Sequence, residues 1–519
     1  MRLLLFLLIG FASWNTNLAQ TESTDYQTGL IMEDETYEAQ PREPKFAGSK
    51  YIDLPTKVDL TPYCPYVGNQ GPIESCVGWA VGYGALTIQR AIQNNLKDRG
   101  AITQGASSAL FIYNQVKQNE NCQSGSKISD AMAFIAENGD CLARNFDRSI
   151  ANEDCSAMPN LALQEEASKF AISDFMTLFS IDEDAGTKVL KVQKALANNQ
   201  PVVIGLKILK NFPSARGVKY WRPTIGNQSF GGGHSVVVVG YDEFKGAFQI
   251  MNSWGPEWGE NGFIWIKYKD FATYCKYAYV LHLGEKGQDH RPLEVTPVAY
   301  EAAPTPPTRP QTPPPTSVPT SNGQLESRIA GGFQFKYLDT SDEMAEPILK
   351  NARLSFTGDF YRIERTDWEI GQFFQLVTTS ASANEYIYVF SVDAEGQVNI
   401  HWPRSAELNP KFAGMNESAL VTQSGSAIYI PGKDKGLKLA KKGTEHLCIL
   451  FSKKKIGNIK AVSDYMQDKK EDFSGALDAL LQDYIVPKSE IQFATNRIQF
   501  STSSEQGFIV PIVVELEAR

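Results

Sequence analysis

Two short runs near the middle of the chain, HSVVVVGY from His234 and AFQIMNSW from Ala247, are built of β-branched and apolar residues and are separated by the turn formers of DEFKGA. That pattern predicts an antiparallel hairpin, in which the start of the first strand lies beside the end of the second. His234 stands at that start and Asn252 at that end. Far upstream, SCVGWAVGYGALTIQRAIQNNLK carries apolar and small residues at helical spacing up to about Ala91, directly after the turn formers Asn69 to Pro72. A helix is therefore predicted to open at Cys76.

The pattern changes in the last third. FYRIER, FFQLVTTS, EYIYVFSVD, QVNIHWP, SAIYIPG, HLCILF, RIQFST and FIVPIVVELE are β-branched and aromatic runs divided by Gly, Asp, Asn and Lys clusters. They predict a β-sandwich or barrel with one amphipathic helix near SGALDALLQDYI. Between the two regimes, TPVAYEAAPTPPTRPQTPPPTSVPTSNG is so rich in proline that it reads as a semi-rigid spacer. The chain begins with Arg2 and a brief apolar stretch, Leu3 to Gly10, followed by small and polar residues: a signal peptide cleaved after Ala19. That stretch is far shorter than the roughly 20 residues needed to span a bilayer.

The expected organisation is thus a signal peptide at 1–19, a flexible leader at 20–50, a mixed helix and strand domain at 51–284, a linker at 285–322 and a β-rich domain at 323–519, an α+β architecture overall. The leader is acidic, with seven Asp and Glu against three Lys and Arg, and lacks helical periodicity. A net charge of -9 argues against nucleic acid as a partner, because polyanion binding needs a basic face. No later segment is long and apolar enough to span a membrane. Seven cysteines in an exported chain can pair, but an odd number leaves at least one free. If Cys76 and the distant Cys448 are free, at most two bridges remain, with their connectivity open.

A thiol attacks as a thiolate, which is favoured at a helix N-terminus and beside an imidazole. Cys76 occupies the first of these places, although cysteine is also common as a small buried hydrophobe. Of the five histidines, His282 reads as a structural strand residue, His290 borders the linker, and His401 and His446 fall in the β-rich part. His234 differs because it ends a glycine run, and the Asn252 amide across the hairpin is in position to fix its tautomer. Gly231 to Gly233 is followed by a strand and lacks a Lys-Ser/Thr pair, so it is no phosphate cradle; close approach by an extended peptide accounts for the missing side chains.

NQGPIESCVGWA, followed far downstream by GGGHSVVVVGYDEFKGAFQIMNSWGPEWGENGFIWI, resembles the papain-like cysteine peptidase family over about residues 51–284. The resemblance implies a two-lobe fold with Cys76 as nucleophile, His234 as general base and acid, and Asn252 as the residue that orients the imidazole. It further implies that Gln70 joins the Cys76 backbone N–H in an oxyanion hole and that Trp254 shields the His-Asn bond, with Ser253 and Gly233 in support. Neither metal nor organic cofactor is implied, and no CxxC or HExxH pair appears. The sequence also departs from the family. Ile73 stands where a bridging cysteine is usual, Val77 replaces an aromatic, and Glu74 puts a carboxylate beside the nucleophile, which opposes thiolate formation unless it is paired or solvated. The leader is too short and acidic for a typical helical prosegment. The C-terminal part is similar to an uncharacterised bacterial β-rich domain appended to cysteine peptidases.

The resulting expectation is an exported, periplasmic or extracellular cysteine endopeptidase acting on peptides or proteins through an acyl-enzyme, without a stable membrane span and with the accessory-domain partner open. The alternatives are a weak or inactive papain-fold scaffold, or an amidase or acyltransferase on a non-peptide substrate.

Overall fold

The computed structural model describes residues 26–44, 54–147, 154–224, 230–284, 292–297, 329–339, 348–364, 368–381, 385–422 and 427–519. The expected signal peptide and the proline-rich run from 298 onward lie outside the described residues.

Three helical segments, Cys76–Gly78, Trp79–Leu86 and Thr87–Gln93, follow one another without a break, the middle one wound as π-helix. Periodicity predicts a single helix here; the wider middle turn is a departure that a 3.6-residue pattern does not reveal. Glycines allow this helix to press against its neighbours. A Cβ on Gly78 would stand 2.2 Å from the Ala109 carbonyl oxygen, and one on Gly84 would stand 2.6 Å from Val237 Cγ2. Val237 belongs to strand Phe230–Asp242, so the helix that opens at Cys76 lies directly against the strand that carries His234. Helices Arg99–Gln104, Ala109–Val116, Ile128–Glu137 and Leu161–Ser168 belong to the same lobe. The first two start at side-chain caps, Asp98 accepting from the Ala101 N–H and Ser108 from the Phe111 N–H.

The other lobe is an eight-stranded sheet. Strand Phe230–Asp242 lies between Val202–Leu209 and Ala247–Met251, antiparallel to both. The second pairing is the hairpin read from the sequence, with Val237 opposite Met251 and Asp242 opposite Ala247. Its turn is closed by Asp242, whose carbonyl accepts from the Lys245 N–H at 3.1 Å, and by Gly246 at φ +54°. Cys122 and Cys155 form one disulfide, and Cys64, Cys76, Cys141, Cys275 and Cys448 are free and buried. Ile73, in the place of a family cysteine, packs into an apolar cluster with Phe111, Cys141 and Cys155.

Among the described residues the C-terminal region is a sandwich of two open sheets, with no closed barrel. Phe333 and Phe500, from one sheet, meet Phe451 of the other edge-on between the layers. Strand Glu385–Val392 is buried along its whole length because its two faces enter different cores. Ile387 and Val389 face the sandwich interior, while Tyr388 and Phe390 lie under helices Ile459–Tyr465 and Phe473–Leu481. Two helices thus stand where the pattern predicts one. This region also packs against the first: Tyr386 donates to the Ser173 carbonyl at 3.2 Å and Lys455 pairs with Asp174 at 2.9 Å. Residues 292–297, expected to be spacer, are bound to it as well, Leu293 donating to the Lys455 carbonyl at 2.7 Å and accepting from the Gly457 N–H at 2.9 Å.

The leader requires a correction. Read as flexible, residues 26–44 are instead packed onto the protein, with a short helix at Asp34–Glu38. Tyr37 is 1% exposed, stacks on Tyr277 at 4.5 Å and donates to the Phe179 carbonyl at 2.6 Å. Around Arg42 the leader bridges both parts of the molecule. Pro41 and Glu43 pair with Thr177 through N···O contacts of 2.8 and 2.9 Å, while Arg42 itself pairs with Asn416 and Ser418 at 2.7 and 3.0 Å. Low mean hydropathy concealed a few well-placed apolar anchors and acids that find lysines far away in sequence. Among the described residues no helix is long and apolar enough to cross a membrane.

Candidate active site

Cys76 opens the first helix with no side-chain cap at Ser75, which leaves first-turn N–H groups available to its sulfur. Backbone N–H groups of Ser235, Val77 and Cys76 itself favour its ionised form, yet burial outweighs them and, with the Glu74 charge opposing ionisation as well, pushes the thiol up to about 12. Glu74 is itself held above the usual carboxylate range by partial burial. Val77 is fully buried, and Trp79 packs beside Tyr83 with ring centroids 4.7 Å apart.

Ser235 follows His234, so the strand that carries the imidazole also directs a backbone N–H at the Cys76 sulfur. The hairpin register brings Asn252 up to the ring, with His234 Nε2 and Asn252 Oδ1 2.7 Å apart. Which partner donates can be deduced. The Ser253 N–H donates to the same Oδ1 at 2.8 Å, so this atom is an acceptor and the ring nitrogen facing it must carry the hydrogen. In the neutral ring Nδ1 is then the bare nitrogen, and it is buried with no hydrogen-bond partner. Burial lowers the His234 pKa to about 4 despite the bond it donates to Asn252. Trp254, 2% exposed, stacks on the imidazole at 4.3 Å, and Phe212 meets both rings edge-on.

Gln70 reaches the same crevice from the preceding loop and is 1% exposed. Ser253 holds it twice: the Gln70 N–H donates to the Ser253 carbonyl at 2.8 Å, and Ser253 Oγ donates to Gln70 Oε1 at 2.7 Å. This orients the Gln70 NH2 group, which donates to the Ile73 carbonyl at 3.0 Å and to the Thr28 carbonyl at 3.4 Å. Gly233 is as close-packed as its missing side chain suggests. A Cβ there would lie 2.4 Å from the Leu30 carbonyl oxygen.

Thr28 and Leu30 belong to the leader, which lies across the crevice. Tyr26 stacks on Trp254 at 4.9 Å and the Trp254 indole N–H donates to the Gln27 carbonyl at 2.9 Å. Gly29 lies so close to Glu74 that a Cβ would approach its carbonyl oxygen to 2.2 Å. Leu30 donates to the Gly233 carbonyl at 3.1 Å, while Ser126 accepts from Ile31 at 3.0 Å and donates to Gly29 at 2.9 Å. One strand-like segment thus binds both walls at once. The sequence reading missed these residues, together with Ser126, Phe212 and Ser235. The one available signal was Leu30-Ile31-Met32, an apolar triplet inside an otherwise polar leader.

Residues 54–281 match the family model described as papain family cysteine protease. An uncharacterised peptidase C1-like protein of Acanthamoeba polyphaga mimivirus is 29% identical over 39% of this chain and 65% of its own length. Papaya proteinase 4 of Carica papaya is 28% identical over 49% of this chain and 66% of its own length. The chain thus spans just under two thirds of these curated relatives. Xylellain, a cysteine protease from Xylella fastidiosa, superposes with a TM-score of 0.42 at 24% identity, covering 50% of this chain and 96% of the other. The family match thus falls on the two-lobed segment, residues 54–281, which is similar to papain family cysteine proteases.

Proposed function

We propose that the protein is a cysteine endopeptidase whose leader keeps it latent. The observation that carries the reading is the Asn252–His234 bond of 2.7 Å, which leaves Nδ1 bare on the strand that packs against the helix beginning with Cys76. In this reading the Cys76 proton passes to His234 Nδ1 and the sulfur attacks a peptide carbonyl carbon. The oxyanion takes hydrogen bonds from the Gln70 NH2 and the Cys76 N–H. His234 then returns the proton to the departing amine, and a water deprotonated by the same nitrogen releases the acyl group. The Thr28 carbonyl, 3.4 Å from Gln70 Nε2, occupies one of these donors in the latent form. A thiol near 12 and an imidazole near 4 form a neutral pair, the resting state appropriate to a covered, dry crevice. Displacing the leader rehydrates both groups and moves the two values toward each other. Export through the N-terminal apolar stretch completes the proposal.

Labelling by a thiol-directed suicide inhibitor, combined with mass spectrometry of peptide digests, tests it. Wild type is expected to label and to cleave peptides after leader displacement, whereas Cys76→Ala does neither. A scaffold without turnover is the second reading, favoured by the Glu74 charge beside Cys76. It requires that the two proteins label and digest alike, and that result would end the peptidase proposal.

A further inference from the structure

The leader marks out the ground an extended peptide would cover, and its acids are placed with a purpose the catalytic groups do not explain. Leu30, 7% exposed, is inserted against Gly205 and Tyr277; a Cβ on Gly205 would come within 2.9 Å of Leu30 Cδ2. Beyond that anchor, Glu33 pairs with Lys127 at 2.7 Å. Asp34 pairs with Lys276 at 2.7 Å and accepts from the Tyr277 hydroxyl at 2.6 Å. Lys207 lines the same cavity of about 680 Å³ and adds its charge to the field on Asp34. The three lysines come from separate elements on both sides of the crevice. Lys127 directly precedes helix Ile128–Glu137 in the helical lobe, and Lys207 and Lys276 lie on strands Val202–Leu209 and Cys275–His282 of the sheet lobe. The leader supplies the carboxylates bonded to Lys127 and Lys276; of the protein's own acids, Asp130 acts on Lys127. With the leader gone, Lys127 and Lys276 lose these carboxylate partners.

Resting on the peptidase reading, we propose that Lys127, Lys207 and Lys276 are specificity-determining residues that select acidic peptide segments, with Asp or Glu within about four positions of an aliphatic side chain held where Leu30 now sits. The backbone groups that bind the leader around Leu30, the Gly233 carbonyl for Leu30 and the Ser126 N–H and carbonyl for Gly29 and Ile31, read no sequence and would accept any extended chain. Discrimination then has to come from side chains. Contacts between partly exposed charges are individually weak, about 1.5- to five-fold each, so three together give an acidic-over-neutral preference of about three- to 100-fold.

The test uses the full chain. Matched peptides that share one aliphatic residue and differ only in Glu against Gln at neighbouring positions are digested by wild type, by Lys127→Glu/Lys207→Glu/Lys276→Glu and by Cys76→Ala, with the ratio of kcat/KM for acidic to neutral peptides as readout. The triple variant also weakens the leader's hold, so absolute rates change, but the ratio cancels that effect. Wild type should favour the acidic peptide at least three-fold, and the triple variant should show no preference or the opposite one, mainly through KM. A wild-type ratio near one, or a ratio unchanged in the triple variant, overturns the inference while leaving the peptidase reading intact. Absence of any Cys76-dependent cleavage removes both.

Discussion

Leu30 donates its backbone N–H to the carbonyl of Gly233 at 3.1 Å, one residue before the buried imidazole of His234. The contact joins a leader residue to the strand that carries the proposed base, so occupancy of the crevice depends on how well this one side chain is buried. Leu30→Ala removes most of that burial, at a cost of about 2 kcal/mol, or roughly 30-fold in the ratio of docked to released leader. Faster reaction of Cys76 with a thiol-directed probe is the expected outcome, with the global melting temperature nearly unchanged because the sheet and helix cores are untouched. Equal labelling rates in the two proteins would mean the leader does not limit access.

The same docking should be sensitive to acid. His234 is lowered to about 4 while covered, against 6.5 for a solvated imidazole, so the released form binds the extra proton between those values. A depressed value gives stability that is complete above 6.5 and lost as pH falls through about 4. By pH 5 His234 alone shifts the equilibrium toward release by roughly 30-fold. Glu33 and Asp34, held below the usual carboxylate range by Lys127 and Lys276, act in the same sense at still lower pH. Glu74, raised by burial, acts in the opposite sense and reduces the effect. Probe labelling measured after brief incubation from pH 7.5 down to 4.5 should therefore accelerate as pH falls, and His234→Gln should lose most of the trend.

How far such features were legible beforehand depends on the range of the interactions involved. The hairpin bearing His234 and Asn252 was legible because alternating strands and a Gly-containing turn are local signals. The opening of a helix at Cys76 was legible for the same reason, and the β-rich C-terminal region from the repetition of its runs. The docked leader was not, since Glu33, Asp34 and Leu30 acquire meaning only from Lys127, Lys276 and Gly233, far along the chain. The π-wound turn after Gly78 and the burial of both faces of Glu385–Val392 depend likewise on what packs against them.

Positioning of the imidazole yields a sharper prediction. Asn252 Oδ1 accepts from both His234 and the Ser253 N–H, so Asn252→Ala leaves two buried donors unpaired and frees the ring to change tautomer. Each such bond is worth about 1–3 kcal/mol, and kcat should drop roughly 10- to 100-fold with little change in KM. Gln70→Ala removes a proposed oxyanion donor and should lower kcat by about 10²–10³-fold. A drop confined to KM in either variant would assign these residues to substrate binding instead.

The Cys122–Cys155 bridge supports the site from behind. The Cys122 carbonyl accepts from the Glu74 N–H at 2.9 Å and from the Tyr113 hydroxyl at 3.0 Å, and Ser126, which pairs with the leader, lies four residues on. The bridge closes a loop with a sequence separation of 33, for which chain-entropy reasoning gives about 3–4 kcal/mol. Since Ile73 fills the space of another family cysteine, no second bridge restrains the loop just before the nucleophile. Cys122→Ser/Cys155→Ser should therefore lower the denaturant midpoint of the helical lobe by the equivalent of that energy. It should also expose Cys76 to the probe even at pH 7.5, because the Glu74 and Ser126 backbones lose their anchor together. Retained stability with unchanged labelling would show that packing around Phe111 and Ile73 holds this wall without the covalent link.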